Sequence, residues 1–578
     1  MTAVNTVLSL LAVDYEPHHK LACYVSHDAA SPVTIYSLIQ AAEFAKCWVP
    51  FCKKHGIQVR APFRYFGTPV SSAAESIEFQ HEWQDMKNEY EKLVSRVEEA
   101  CNSEIQLLDS EEYDVFSNIK RNDHESIVKV ISETGRASSP LQSRSHECSA
   151  KIELECAYVQ SPHTFYNGLK DDPFGNQLVV SQENIGKGIV GIQGSFYHGT
   201  GCFHRKKIIY GLPVDGRTIS TPTYGMAATP DRVYGKSLEL INSIEDFKSK
   251  PLNHGISGSL DAAHQVAGSD YGHGTKWGIN IGWIYGSTSE DTVTSLNIQS
   301  RGYQSMYCDP VPHSFLGSAS PSGPLTTTQI KRWATSLLEI LFSPRNPIIL
   351  SLTTKLHFRQ SLAYTWVLVW GLRSVPELCY SLLPAYCVLS NSTFLPKRLI
   401  PILLFVMYNL HTLCKYIRCG LSMRAWWNNQ RAWRINSCSA WLFGVVGIVL
   451  KLLGLSETVL ELTKKDGPGS DDGVADREAG RFTFDESPIF VPATALVLVN
   501  LVAFGLGFAR IAGAGMNGLI WADVKYEPEE LGCCIWVPLM LSPFLKGLFG
   551  QGKYGIPRAT ILKSVALALV FFSFCLRV

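Results

Sequence analysis

An α/β soluble half followed by an all-α membrane block is the fold class this sequence predicts, on three observations. Short apolar strands alternate with helical segments through residues 1–355, the pattern of a layered α/β fold. Residues 361–578 are dominated by long apolar runs. The charged fraction is 18%, below the usual proportion of about a quarter, and the shortfall is concentrated in the second half. A boundary near residue 355 therefore separates a soluble domain, 1–355, from a transmembrane domain, 356–578. The formal net charge of +1 gives no reason to expect a nucleic-acid partner.

In the soluble half, the opening MTAVNTVLSLLAVDY lacks the basic flank of a cleaved leader and reads as a buried helix, with the N-terminus in the cytosol. LACYV at 21–25 and IELECAYV at 152–159 read as strands, and WQDMKNEYEKLVSRVEEA at 83–100 as a helix. Residues 132–151 are Ser-rich and aperiodic, a loop or linker. The sixteen cysteines show neither CxxC pairs nor zinc-site spacing, so reduced thiols are expected; Cys533 and Cys534 sit in an apolar run and read as packing residues.

About six spans fit the membrane half. They begin with a pair near 361–375 and 377–390, split at Pro376, which counts as two spans or as one bent one. Further runs follow near 399–417, 437–455, 489–509, 533–549 and 560–576. Residues 423–435, MRAWWNNQRAWRI, alternate Trp and Arg in the manner of a helix lying in the membrane interface. Residues 467–486 are polar and Gly-rich, a loop between spans.

Five local patterns carry chemistry. In HKLACYVSHDAASPVT (19–34) an acid, Asp28, follows a strand, where open α/β sheets place nucleotide contacts. Downstream, YVQSPHTFYNGLKDDPFGNQL (158–178) precedes the turn Gly199-Thr200-Gly201-Cys202, whose glycines let backbone approach a flat ligand. Ser289-Glu290-Asp291 ends a Gly- and aromatic-rich stretch, and by residue type alone Asp291 reads as a cap on the helix that follows. Gln329, Arg332 and Trp333 stand at i, i+3 and i+4 of one helix face, where an indole can stack on a sugar ring and the polar pair can bond phosphate or sugar oxygens. VLELTKK (459–465) contains Thr463 and Lys465 and by composition reads as a connecting loop.

Taken in order, these patterns resemble the plant cellulose synthase superfamily, and the blocks around 158–178 and 199–211 resemble the H or B subgroup of its cellulose synthase-like proteins. The resemblance implies a glycosyltransferase A-type, Rossmann-like cytosolic domain ahead of the membrane helices, and inverting transfer of glucose from UDP-glucose to a β-glucan that leaves through the bilayer. Asp291 matches the family's catalytic base. Gln329, Arg332 and Trp333 match its QxxRW signature, with Gln329 and Arg332 on the donor and Trp333 on the acceptor. Gly199, Thr200, Gly201 and Cys202 fall beside the end of the glucan, Asp28 falls at the donor, and Thr463 and Lys465 match the gating loop. A divalent ion, Mg²⁺ or Mn²⁺, on the diphosphate is also implied, as are residence in the Golgi or plasma membrane and assembly with a second copy or other synthase subunits.

The match breaks in three places. Two transmembrane helices that open the family's sequences have no counterpart. The family's Asp-Asp-Gly reads His27-Asp28-Ala29 here. Its metal-binding Asp-x-Asp is missing near 132–155, and the other acid pairs, Asp171-Asp172 and Glu111-Glu112, read as surface residues. Two readings therefore stand: a processive synthase, or a catalytically impaired truncated or spliced form of one. A transporter is disfavoured, because intramembrane ionisable residues are few.

Overall fold

The computed structural model describes residues 1–13, 31–67, 76–102, 155–211, 289–393, 399–455, 480–516 and 524–577, with isolated positions between them. Asp28, Thr463, Lys465, residues 21–24 of the strand expected at 21–25 and the segment 132–154 lie outside the described residues. Contacts divide the chain into two units: one of Met1–Glu153, Asp215–Gly282 and Asp466–Ser470, the other of Leu154–Val214, Trp283–Lys465 and Asp471–Val578.

In the first unit, α1 (Thr2–Leu11), α2 (Pro32–Lys54), α3 (Pro62–Gly67) and α4 (Ile77–Asn102) form a helical cluster. Their apolar faces meet at Val4, Leu8, Phe44, Trp48, Tyr90, Leu93 and Val97, so the opening run is a buried helix as expected, and the helix at 83–100 extends further at both ends. Asn5 is a polar residue buried among them. Its Oδ1 accepts from the Phe63 N–H at 3.1 Å and the Tyr90 hydroxyl at 3.2 Å, which removes the cost of burying it.

The second unit carries the described strands. β1 (Cys156–Gln160) lies between β3 (Cys202–His204), antiparallel to it, and β4 (Gln304–Tyr307), parallel to it; β2 (Thr164–Phe165) pairs in parallel with β5 (Leu316–Gly317). The strand expected at 152–159 thus ends one residue later and is described only from Cys156. The content is mixed α/β; a full Rossmann-like sheet is not seen among the described residues. Helix α5 (Glu290–Ser300) packs through Val293 and Leu296 with Leu337 and Ile340 of α6 (Gly323–Leu341) and Tyr364 of α7 (Phe358–Leu368).

Beyond α6 and α7 the helices become apolar: α8 (Ser374–Ser390), α9 (Leu399–Arg418), α10 (Met423–Cys438), α11 (Ala440–Leu452), α12 (Val491–Met516), α13 (Pro528–Met540), α14 (Ser542–Leu548) and α15 (Arg558–Arg577). Among the described residues, four stretches are long and apolar enough to cross a bilayer: Ile400–Arg418, Met423–Leu452, Pro488–Ala512 and Gly552–Cys575. Three expectations change. The expected run 533–549 is the pair α13 and α14, bent by 77°, a broken span or re-entrant loop. Pro543 in the first turn of α14 cannot extend the preceding helix, which accounts for the break. The first pair consists of α7 and α8, of 11 and 17 residues, each too short by itself. Their break falls at Trp370–Arg373, ahead of Pro376, which sits in the first turn of α8 where its missing N–H costs nothing. The Trp/Arg stretch forms a helix, α10, but only Ser439 separates it from α11, so 437–455 reaches spanning length only together with it.

Within this block Arg434 of α10 donates to Glu377 of α8, with both side chains 19% exposed, and the guanidinium lies over the Tyr380 ring at 4.8 Å. Removing one partner strands the other charge. Glu377→Ala should therefore cost about 3–5 kcal/mol, read as a fall in the melting temperature of the detergent-solubilised chain, whereas replacing both Glu377 and Arg434 with apolar residues should recover most of it.

Candidate active site

The site is built from the carboxyl end of β1, the turn that leads into the amino end of β3, and the start of α5. β1 delivers Gln160 to the floor of the Gly199 turn, and Gln160 is fully buried. Its Oε1 accepts from the His198 N–H at 3.1 Å, while its Nε2 donates to the Thr200 and Ser161 carbonyls, each at 2.8 Å. The Ser161 N–H donates to the Gly201 carbonyl at 2.8 Å, and Thr200 Oγ1 lies 3.0 Å from His163 Nε2. The turn is thus fastened from beneath. Cys202 opens β3 opposite Gln160, and burial pushes its thiol well up. His198 is pushed down to about 3 by burial and the neighbouring His163, so it is neutral at working pH.

Gly199 faces Asp291. It holds φ +82°, which a residue with a Cβ rarely adopts, and a Cβ placed there would lie 3.4 Å from Asp291 Oδ2. The bare backbone leaves that space to whatever the carboxylate serves. Asp291 lies in the first turn of α5, where its Oδ1 accepts from the Thr292 N–H at 2.7 Å. Desolvation raises its pKa to about 6, against the opposing pull of the Thr292 hydrogen bonds and the Arg332 charge. Asp291 thus bonds groups of the first turn itself, and the N-cap position of α5 is held by Ser289.

Ser289 joins α5 to α6: its hydroxyl lies 2.5 Å from that of Ser336, which also donates to the Arg332 carbonyl at 3.1 Å. This brings the Ser289-Glu290-Asp291 turn to the helix of Gln329, Arg332 and Trp333. Arg332 Nε is buried without a hydrogen-bond partner, and Trp333 is half-buried beside it. Gln329 Oε1 accepts from Ser320 Oγ at 2.8 Å, so the loop ahead of α6 orients it.

Under α5 runs a buried polar network. Tyr158 Oη lies 2.7 Å from Ser295 Oγ and donates to the Ser195 carbonyl at 2.8 Å. Ser295 lies 2.5 Å from the Tyr364 hydroxyl, which donates to Gln299 Oε1 at 2.9 Å. The helix bearing Asp291 is therefore fixed in rotation and not held by apolar packing alone.

Two features escaped the sequence reading. Gln160 sits in the QSPHTF block, but nothing local marks it as the residue that fastens a turn forty positions on. Asp172, read as a surface acid, accepts from the Asn176 N–H at 3.0 Å and from Asn429 of α10 at 3.1 Å, and burial raises its pKa. The Asp-Asp-Pro-x-Gly-Asn string is a turn signal that could have indicated a side chain bonding its own backbone.

Asp291, its carboxyl raised to about 6, thus stands with bare backbone on one side and the Arg332 guanidinium acting on it from another, in a chain that also carries apolar helices of spanning length. The family model described as cellulose synthase matches residues 1–146 and 225–578, and the chain belongs to the cellulose synthase family. Its sequence is 40% identical to cellulose synthase-like protein H1 of Oryza sativa subsp. japonica over 649 residues, covering 100% of this chain and 86% of that protein. Against cellulose synthase-like protein H2 of Oryza sativa subsp. indica the identity is 42% over 620 residues, covering 100% and 80%. Against cellulose synthase-like protein B3 of Arabidopsis thaliana it is 40% over 655 residues, covering 99% and 84%. The alignment with the H1 protein runs to 649 positions against 578 residues here, so that relative carries dozens of residues without a counterpart. Membership makes the chain a glycosyltransferase of cell-wall polysaccharide synthesis. The Gly199 turn falls between the two matched stretches, so its place in the site rests on the geometry above.

Proposed function

We propose that the chain transfers glucose from UDP-glucose to the end of a growing β-glucan with inversion at the anomeric carbon, and exports the product through its helical block. The observation that carries this reading is Asp291: a carboxyl raised to about 6, packed against Gly199 and within the field of Arg332. At neutral pH it is ionised and able to accept a proton. The acceptor hydroxyl oxygen bonds to the anomeric carbon as its proton passes to Asp291, and UDP departs with the electron pair of the broken bond. Arg332 and Gln329 bind the donor and offset the charge gathering on the diphosphate, Trp333 stacks on the acceptor sugar, and the Gly199-Thr200-Gly201-Cys202 turn lies against the glucan end. Asp28 at the donor and Thr463 and Lys465 in the gating loop keep the roles the family pattern gives them.

Enzymes of this family typically use a divalent cation, Mg²⁺ or Mn²⁺ in this reading, to neutralise the diphosphate. Among the described residues no group of three or more His, Cys, Asp or Glu side chains could hold one, so no residue is assigned to an ion and no step passes through it. The catalytic domain faces the cytosol, where UDP-glucose is supplied, in Golgi or plasma membrane; a second copy or another synthase subunit is the expected protein partner.

Membranes bearing the chain, given radiolabelled UDP-glucose with Mg²⁺ or Mn²⁺, should incorporate label into polymer digestible by a β-glucanase; no incorporation overturns the reading. Trp333→Ala should shorten the product several-fold at nearly unchanged donor KM, because acceptor stacking is worth about 1 kcal/mol or more per ring. Unchanged chain length on gel filtration of the product would remove Trp333 from the acceptor site.

A further inference from the structure

Two consecutive non-glycine residues, Asp171 and Asp172, hold left-handed φ angles of 61° and 41°. Such conformations cost free energy and persist only where surrounding contacts impose them. Here the contacts come from the first turns of α10, some 250 residues away. Ser422 Oγ donates to Asp171 Oδ1 at 2.6 Å, Asn428 Nδ2 to the Asp171 carbonyl at 2.8 Å, and Asn429 Nδ2 to Asp172 Oδ2 at 3.1 Å. The loop also presses on the helix: a Cβ at Gly175 would lie 2.6 Å from that of Ala432.

The other face of the loop leads to the donor helix. Asp172 Oδ1 accepts from the Asn176 N–H at 3.0 Å. Asn176 Nδ2 donates to the Ser320 carbonyl at 2.9 Å and to Thr326 Oγ1 at 3.2 Å. Ser320 Oγ in turn donates to Gln329 Oε1 at 2.8 Å. Asn429, Asp172, Asn176, Ser320 and Gln329 thus form one unbroken path of hydrogen bonds from α10 to α6.

We propose that Asp172 is a positioning residue that latches the loop 167–177 between α10 and the segment ahead of α6, and thereby sets the orientation of Gln329 toward the donor. The inference rests on the reading of Gln329 as a donor-binding residue. It makes α10 more than an anchor: a shift of its first turn relative to the loop is transmitted to the donor side chain.

The test uses the full chain in native membranes, with UDP-glucose as the probe. Asp172→Asn keeps an oxygen for the Asn176 N–H but sets two amide groups against each other at Asn429. It should raise the donor KM about 10-fold with kcat within about twofold, the loss of one charge-assisted hydrogen bond expressed in binding alone. Adding Asn429→Asp restores donor-to-acceptor pairing and should return KM to near its starting value. In a Gln329→Ala background, Asp172→Asn should add less than twofold, because the two act in series. Hydrogen exchange over residues 318–329 should quicken in D172N and slow again in the D172N/N429D pair, a readout independent of turnover. A raised KM in Q329A beside an unchanged KM and unchanged exchange in D172N overturns the inference alone. An unchanged KM in Q329A overturns the donor-site reading and the inference with it. Full additivity of D172N and Q329A reduces Asp172 to a fold-stabilising turn residue and also overturns it.

Discussion

Asp291→Asn should lower glucosyl transfer by about 10²–10⁴-fold while making the protein more stable at neutral pH. The first effect is loss of the base, since an amide cannot take the acceptor's proton. The second follows from the direction of the pKa shift. Burial raises the carboxyl from 3.8 to about 6, so the folded chain holds this proton more tightly than the unfolded chain does. Stability is therefore greatest below the unfolded value and falls as pH rises toward about 6, above which the full cost of the buried charge is present. The amide carries no such cost and keeps the Thr292 hydrogen bond. Its advantage should open between about pH 4 and 6 and stay flat above, on the order of 1–3 kcal/mol after discounting for the part exposure of the side chain. In the wild-type chain kcat/KM should rise through about pH 6 as the carboxylate becomes free, and this acid limb should vanish from the residual activity of the variant. Full activity in D291N removes Asp291 as the base; a lower melting temperature at pH 7.5 contradicts the electrostatic account of the site.

The second large effect is expected at Gln160, a residue that contacts no substrate in this reading. Gln160→Leu keeps the volume and removes the side-chain hydrogen bonds that Gln160 makes beneath the Gly199 turn. The His198 N–H and the Thr200 carbonyl lose their partner in a part-buried place, at about 1 kcal/mol each. The melting temperature should fall by several degrees. Transfer should fall by more than about 100-fold, because a turn displaced by an ångström no longer holds the acceptor against Asp291. Activity close to wild type at a temperature where Q160L remains folded would show that the turn does not set acceptor geometry.

Much of this arrangement is legible in the chain, for reasons that differ from element to element. The Gln329 helix is written locally: Pro324 sits in its first turn, and an apolar face runs from Ala334 to Ile340. The spans near 399–417, 489–509 and 560–576 needed only a run of apolar residues. The bend between α13 and α14 and the shift of the break ahead of Pro376 were harder. A proline announces that a helix cannot continue through it, but not whether it starts the next helix or ends the last. Asp172 was misjudged because exposure is not a local property, and an acid beside a proline and a glycine looks alike on a surface loop or against a distant helix.

The sequence by itself determined the kinds of segment: which runs are apolar enough for lipid, which helix presents Gln329, Arg332 and Trp333 together, and where an acid opens a helix. These depend on composition and on periods of a few residues. Only the tertiary structure decided that Gly199 would lie against Asp291, that Gln160 would fasten the turn between them, and that Asn429 would hold Asp172. Those contacts join residues forty to about 250 positions apart, and they depend on how strands, loops and helices pack rather than on any preference the chain expresses along its length.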